Sequence, residues 1–246
     1  MCSLFLVPRR FTSRQRKKTV IKEKISRPLL DYVGSPCRGL GDLLATAAMG
    51  DWTSADEISI AYGLDSWRPT IGTLIAGQVS RQRRDGRRVV FANGKISYVT
   101  GAAPVAEWTF PAPMGKQSVI AEFTMADTVT ISRHLKTPEI RSYMTVAAVK
   151  DLTDPNQPAP TASDASGRSS QTFLVEVLVR RGGKERRAVA RGRDIYAFSA
   201  PLVVEAMARV VSGRVKTAGV FTAGEAFDAR DFLTSLCPDH LSLEIR

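Results

Sequence analysis

The sequence predicts an α+β fold in which an antiparallel-rich sheet is covered by helices. Asp56 to Leu64 alternates with Ile58, Ile60, Tyr62 and Leu64 on one side, as a strand with one buried face does. Two stretches of strand-like sequence fold back about Asn93-Gly94 and Gly182-Gly183, pairs that tolerate the positive φ angles of a tight hairpin turn. Between the strand runs lie segments with apolar residues three and four apart. Strands in runs with helices between the runs argue for an α+β layer architecture, and no repeat of 20–50 residues is visible.

In chain order, Gly39 to Met49 reads as a helix with Leu40, Leu43, Leu44 and Ala47 at helical spacing, ended by Gly50-Asp51. The strand Asp56 to Leu64 follows, then the loop Asp65-Ser66-Trp67-Arg68-Pro69. Thr70 can cap the next helix, whose Ile71, Leu74, Ile75 and Val79 share a face. After Arg81 to Arg88 comes the hairpin of Val89 to Ala92 and Lys95 to Tyr98. Further strands are expected at Val105 to Phe110, Val119 to Phe123, Thr128 to Ser132 and around Ile140 to Val146. Asp151 to Arg168, rich in Pro, Asp, Ser and Thr, reads as loop. Gln171 to Arg181 and Lys184 to Arg191 form the second hairpin, and a helix from about Phe198 to Val211 turns Leu202, Ala206, Met207 and Val210 inward. Pro201 sits in its first turn, where a missing N–H costs nothing. An extended piece at Val220-Phe221, a helix Asp228 to Leu236 capped by Asp228 and a strand Leu241 to Ile245 close the chain. Both hairpins are expected in one antiparallel sheet, covered by the helices near 70–84 and 198–211.

Charge separates the first 37 residues from the rest. Nine Lys or Arg precede residue 28 against the single acid Glu23, a net of +8 out of +11 for the chain, so the remaining 219 residues are nearly balanced. The first alanine is Ala45, and four of the ten lysines lie in the leader. Residues 1–37 are therefore expected to be a basic, disordered leader that packs against nothing, and residues 38–246 one α+β domain. A secretory signal is not expected, because the apolar run Leu4 to Val7 is far shorter than an h-region and no small-residue cleavage site follows it. No apolar run reaches membrane-spanning length, and no membrane partner is expected. Nucleic acid is not the expected partner either, because aromatic residues are not interleaved with the leader's basic ones. Cys2, Cys37 and Cys237 are odd in number and lack a C-x-x-C pair, which favours a reduced, cytoplasmic setting over a disulfide framework or a zinc site.

No self-sufficient catalytic or nucleotide-binding motif is present. Gly39-Leu40-Gly41-Asp42-Leu43-Leu44 has leucine where a dinucleotide fingerprint needs its third glycine, and no phosphate loop or nucleophile elbow occurs. The strongest site candidate is the loop from Asp65 to Pro69, which joins a strand end to a helix start. There Arg68 could grip a carboxylate, Ser66 donate to it and Trp67 wall an apolar pocket, with the helix N–H groups facing the anion. Arg133-His134 offers an acid–base group, although a hydrogen-bonded structural histidine is the simpler reading. Asp228 as a helix cap explains itself without pairing with Glu225, and Arg81 to Arg88 reads as a solvated bend.

The order of several passages resembles the substrate-binding half of the saccharopine dehydrogenase-like oxidoreductases. They are Ile60-Ala61-Tyr62-Gly63-Leu64, Ser66-Trp67-Arg68-Pro69 before a helix, Asp85-Gly86-Arg87 and the Asn93-Gly94 hairpin. Later come Gly167-Arg168-Ser169-Ser170-Gln171, Gly192-Arg193-Asp194-Ile195-Tyr196, and Gly219-Val220 leading to Gly224-Glu225-Ala226-Phe227-Asp228. The similarity extends from Arg38 to Ile245. It implies a substrate-binding and dimerising α+β domain, with NAD(P) held in the family by a Rossmann domain ahead of it. About 37 residues stand where more than a hundred would be needed for that domain. The resemblance thus implies oxidoreductase ancestry without hydride transfer by this polypeptide alone. It implies a small anionic substrate at Ser66, Trp67 and Arg68, no cofactor bound by this chain, and a homodimer or a separate Rossmann-domain partner. The alternatives are a non-catalytic small-molecule-binding or dimerisation module and, behind it, a nucleic-acid-associated protein acting through the leader.

Without a glycine-rich strand-to-helix turn there are no backbone donors arranged for a pyrophosphate. The purified chain is expected to bind NADH or NADPH no tighter than roughly 1 mM in a fluorescence titration. Saturable micromolar binding would restore Gly39-Leu40-Gly41 as a nucleotide site.

Overall fold

The structure, a computed structural model, describes residues 5–7, 39–215 and 219–246. Its first half holds β1 (Phe5–Val7), α1 (Leu40–Met49), β2 (Glu57–Leu64), α2 (Ile71–Arg83), β3 (Arg88–Ala92), β4 (Lys95–Val99), β5 (Val105–Thr109) and β6 (Lys116–Ala121). Then come α3 (Asp127–Ser132), β7 (Ile140–Thr145), α4 (Val146–Thr153), β8 (Thr172–Arg181), β9 (Lys184–Arg193) and α5 (Ser199–Val211). The chain ends with β10 (Gly219–Phe221), α6 (Ala223–Ala226), α7 (Ala229–Ser235) and β11 (Ser242–Ile245).

Nine strands make one open, mixed, mostly antiparallel sheet in the order β11-β9-β8-β2-β7-β3-β4, with β5 and β6 attached through β7. β2 runs antiparallel to β8, from Glu57 opposite Arg180 to Leu64 opposite Phe173, and parallel to β7, from Ile58 beside Ile140 to Tyr62 beside Met144. β7 then divides its far edge, pairing Ile140 with Phe91 of β3 and residues 143–145 with residues 119–121 of β6. Both hairpins lie in this sheet, and their turn residues hold the left-handed backbone that sequence assigns them: φ is 53° at Asn93, 73° at Gly94, 54° at Gly182 and 74° at Gly183.

The sheet has a core on each face. On one, Ile58, Ile60, Tyr62, Val175, Val177 and Ala190 meet α1, whose Leu40, Leu43 and Leu44 are fully buried, together with Leu202 and Ala206 of α5 and Phe232 and Leu233 of α7. On the other, Ala61, Leu174 and Val189 are covered by Phe110 and Val119, with Trp108, Met114 and Tyr143 around them. The β5–β6 hairpin is therefore the lid of the second core. α5 also buries Arg209, which pairs with Glu205 at 2.6 Å and Asp231 at 2.5 Å and lies over the Phe232 ring. Pairing with two acids lets a guanidinium stay buried, a solution apolar periodicity does not reveal.

Four expectations need correction. The helix at 70–84 does not cover the sheet: α2 buries no residue, and its half-buried side is Thr73, Ala76 and Ser80. α1 packs against β8 and β9 in its place. Thr128 to Ser132 is helix α3 rather than a strand, because Thr128 bonds Ser142 and Thr130 bonds the Asp127 carbonyl, tertiary and local partners that outweigh the β-branched run. Val146 to Thr153, partly inside the expected loop, is helix α4. Finally, Phe5–Val7 pairs antiparallel with Gly219–Phe221, so at these residues the leader does meet the body. The disorder expected of the remaining leader falls outside the described residues.

Glu176 on β8 is completely buried within the second core. Trp108 Nε1–H donates to its Oε2 at 2.7 Å, and Arg187 Nε lies 3.1 Å from Oε1. Burial pushes its pKa above the usual glutamate range, with the Trp108 hydrogen bond and the Arg187 charge opposing. Between the unfolded value and this raised one the native state holds the extra proton. Ionisation through that window therefore costs stability as pH rises. Glu176→Gln cannot ionise, so wild-type stability measured against this variant by urea unfolding should fall as pH rises from about 4 to 8.

Candidate functional site

A cavity of about 730 Å³ opens where β2 ends, β8 begins and β9 ends. Leu64, Met114, Phe173, Leu174 and Leu241 supply apolar lining, and Asp65, Arg168, Arg191, Arg193 and His240 the main polar groups. Two glycines shape its walls. A Cβ at Gly63 would collide with Met114 Sδ, so the β5–β6 hairpin tip rests directly on bare β2 backbone. A Cβ at Gly192 would collide with the Phe173 ring and lie 3.2 Å from the His240 carbonyl, so β9 is bare where the ring and the C-terminal loop close in.

The cavity's charge comes from its arginines. Arg191 and Arg193, two apart on β9, share a face of the strand. Arg193 donates to the Ser169 carbonyl at 2.7 Å and to Asp164 at 2.5 Å. The Ser166 hydroxyl and then Arg193 hold the Asp164 carboxyl down at about 2, so that pair stays charged at ordinary pH. Arg191 gives Nη1 to Glu244 at 2.5 Å, but its Nε–H is buried with no hydrogen-bond partner among the described residues. Arg168 Nη2 lies 3.3 Å from His240 Nδ1, which acts as the acceptor, and Arg168 has no acidic partner among the described residues. Asp65 is occupied by the Thr172 N–H and hydroxyl, both at 2.9 Å; Asp239 is the other acid of the lining. The arrangement offers donors to an anion beside apolar walls that would take the rest of a molecule.

Of the loop singled out in the sequence, the cavity takes Asp65 but not Ser66, Trp67 or Arg68. At the helix start the Thr70 N–H meets the Tyr196 hydroxyl and the Thr73 N–H its Thr70 cap, and in the loop itself the Trp67 N–H donates to Asp151 at 2.7 Å and the Arg68 N–H to Gln171 at 2.6 Å. Ser66 Oγ turns to Asp65. Trp67 is half-buried against the main core and donates Nε1–H to the Tyr196 hydroxyl at 2.8 Å, while the Arg68 guanidinium has no hydrogen bond or ion pair among the described residues. The same Tyr196 hydroxyl also meets Thr70 N and Thr73 Oγ1, anchoring the start of α2. Asp194 accepts from the N–H groups of Ser169, Tyr196 and Ala197. Three passages remote in sequence, residues 65–70, 167–172 and 192–197, thus converge at one end of the sheet.

Arg191 escaped sequence reading because nothing local distinguishes it from neighbouring surface arginines. Arg168, Gly192 and Arg193 could have been found, since each belongs to a passage already noted for its order. No family model matches the chain, and no curated protein matches it. Among the described residues no group of three His, Cys, Asp or Glu is placed to hold a metal ion, and no helix is long and apolar enough to cross a membrane.

The start of α1 is filled by protein. Leu40 and Gly41 are buried, and a Cβ at Gly41 would lie 2.7 Å from both Asp127 Oδ1 and Tyr62 OH. Asp42, completely buried, accepts from Gly224 N and contacts His134 Nε2, each at 2.7 Å. His134 is therefore the hydrogen-bonded structural histidine, tying α3 to α1. Glu225 closes a capping box with Thr222, and Asp228 caps α7 through Asp231 N. Both carboxylates are accounted for by their helices.

Tyr196→Phe should destabilise the fold by about 1–2 kcal/mol, because Trp67 and Thr70 lose the oxygen they share. Arg68→Ala should stay within about 0.5 kcal/mol of wild type. Urea unfolding of both variants checks the contrast between the loop's anchor and its half-buried, unpaired guanidinium.

Proposed function

We propose that residues 38–246 are the substrate-binding portion of a saccharopine dehydrogenase-like oxidoreductase, taking a small molecule with an apolar body and an anionic group into the cavity at the end of β8 and β9. The observation that carries this reading is the pair of guanidinium groups in the cavity lining, of which Arg168 has no acidic partner among the described residues and Arg191 is paired through one nitrogen to Glu244. A carboxylate or phosphate oxygen held by these guanidinium groups would gain a charge-assisted hydrogen bond, worth on the order of 1.5–3 kcal/mol. The meeting of the three family-like passages around this cavity supports the same assignment. On this reading Ser66, Trp67 and Arg68 shape the rim from behind, through Gln171, Asp151 and Tyr196.

NAD(P) does not fit this chain's own helix start. Gly41 is pressed against Asp127 and Tyr62, and the buried Asp42 carboxylate occupies the region where a pyrophosphate would need N–H donors. Hydride transfer is accordingly assigned to a complex with a nucleotide-binding partner. This chain's share is to bind and orient the substrate.

Calorimetric titration with straight-chain carboxylates from acetate to decanoate tests the cavity. Affinity should rise with chain length by up to about 0.8 kcal/mol per buried methylene. Arg191→Met should weaken binding about tenfold, the loss expected for one charge-assisted hydrogen bond. Binding that ignores chain length, or that survives Arg191→Met unchanged, would remove the assignment.

A further inference from the structure

Helix α2 presents its sides in reverse. Its half-buried side is Thr73, Ala76 and Ser80, and its outward side carries Ile71, Leu74, Ile75 and Val79 at 74, 47, 56 and 38% exposure. Both ends are fixed. Thr70 caps the first turn and joins Thr73 at the Tyr196 hydroxyl, while Arg84 bonds the Ser80 carbonyl and Thr124 beyond the last. The helix is therefore held rigidly with its apolar stripe in water. A stripe of this kind is normally turned into a core, and one left exposed with a polar rim marks an interaction surface.

Charge selects the occupant. α2 contains no acidic residue, and at about 100° per residue Arg81 and Arg83 fall on opposite sides of the apolar sector. Neither guanidinium has a hydrogen bond or ion pair among the described residues; the half-buried Arg87 that follows is stacked on Tyr98 and paired with Asp85 at 3.0 Å. The leader of this chain brings nine basic residues and two acids, the wrong sign to cover such a face. A second copy brings the same arginines with no acid on α2 to meet them. A bilayer is a poor match, because the stripe from Ile71 to Val79 spans only about 12 Å and α2 carries no aromatic residue. Beside the stripe, Gly72 and Ala76 leave one flank low enough for another helix to approach closely.

We propose that α2 is a docking surface for an acidic amphipathic helix of another protein. Its apolar stripe lies along Ile71, Leu74, Ile75 and Val79, and its carboxylates pair with Arg81 and Arg83.

The probe is a fluorescent helical peptide of about 18 residues with leucines on one stripe and glutamates along both margins, followed by anisotropy against the full chain. A scrambled peptide of equal composition, with no stripe, reports attraction to the leader alone. The striped peptide should bind at least tenfold tighter than the scrambled one. Leu74→Gln/Ile75→Gln should abolish that difference, and Arg81→Gln/Arg83→Gln should reduce it several-fold and flatten its salt dependence. Because α2 buries no residue, both double variants should melt like wild type. Equal binding of the two peptides, or unchanged binding by Leu74→Gln/Ile75→Gln, overturns the proposal. So does a wild-type dimer that this variant converts to monomer, or a preference of the same residues for phosphatidylglycerol vesicles over the striped peptide.

Discussion

β2 is enclosed on four sides. Its backbone is hydrogen-bonded to β8 along one edge and β7 along the other, while Ile58, Ile60 and Tyr62 enter the helix-covered core and Ala61 enters the core under the β5–β6 hairpin. Such a strand must be apolar on both faces, and seven of its eight residues are buried. Everything else takes its position from this strand. α1 and α7 stack on one side, the β5–β6 hairpin closes the other, and the loop leaving Leu64 delivers Asp65 to the cavity mouth. Gly63, one residue before the strand ends, is where the hairpin tip comes down on it.

Polar groups inside the protein fix the helices relative to this strand. Asp42 ties α1 to His134 at the end of α3 and to Gly224 in α6, and Tyr62 of β2 donates to Asp127 of α3. Burying carboxylates is costly unless each meets donors, and these partners come from segments far apart in sequence. The cavity follows a different rule. Arg191 keeps one buried N–H without an internal acceptor, and the lining is divided between hydrocarbon and guanidinium. One set of polar groups is satisfied within the protein, and the other lines an open cavity.

Much of the fold was legible in the sequence, for reasons that can be named. The Asn93-Gly94 and Gly182-Gly183 hairpins, the Thr70 and Asp228 caps and the α1 stripe depend on local geometry, and local geometry is written in neighbouring residues. Where the outcome depended on distant partners, the reading failed. α3 carries strand-forming residues yet is helical because Ser142 and the backbone offer its hydroxyls partners. α2 has a regular apolar stripe, but periodicity identifies a stripe without saying which way it faces. The site shows the same division. Its position between strand and helix marks the loop 65–69 as a candidate site, whereas the Trp67 and Arg68 backbone donors are consumed by Asp151 and Gln171, more than eighty residues away. The burial of part of Arg191 is likewise set by tertiary packing, which no spacing in β9 reveals.

The position of β2 also bears on how the chain reaches this state. Glu57 and Arg180 face each other across the β2–β8 ladder at a separation of 123 residues. During synthesis β2 leaves the ribosome well before either of its neighbours exists, apolar on both sides and with both hydrogen-bonding edges open. Pairings of such high sequence separation form late, and unpaired apolar strands are sites of aggregation until they do. The strand that organises the finished domain is thus its most exposed liability while the chain is incomplete, making passage through the cell a matter of chaperone access as much as of final stability.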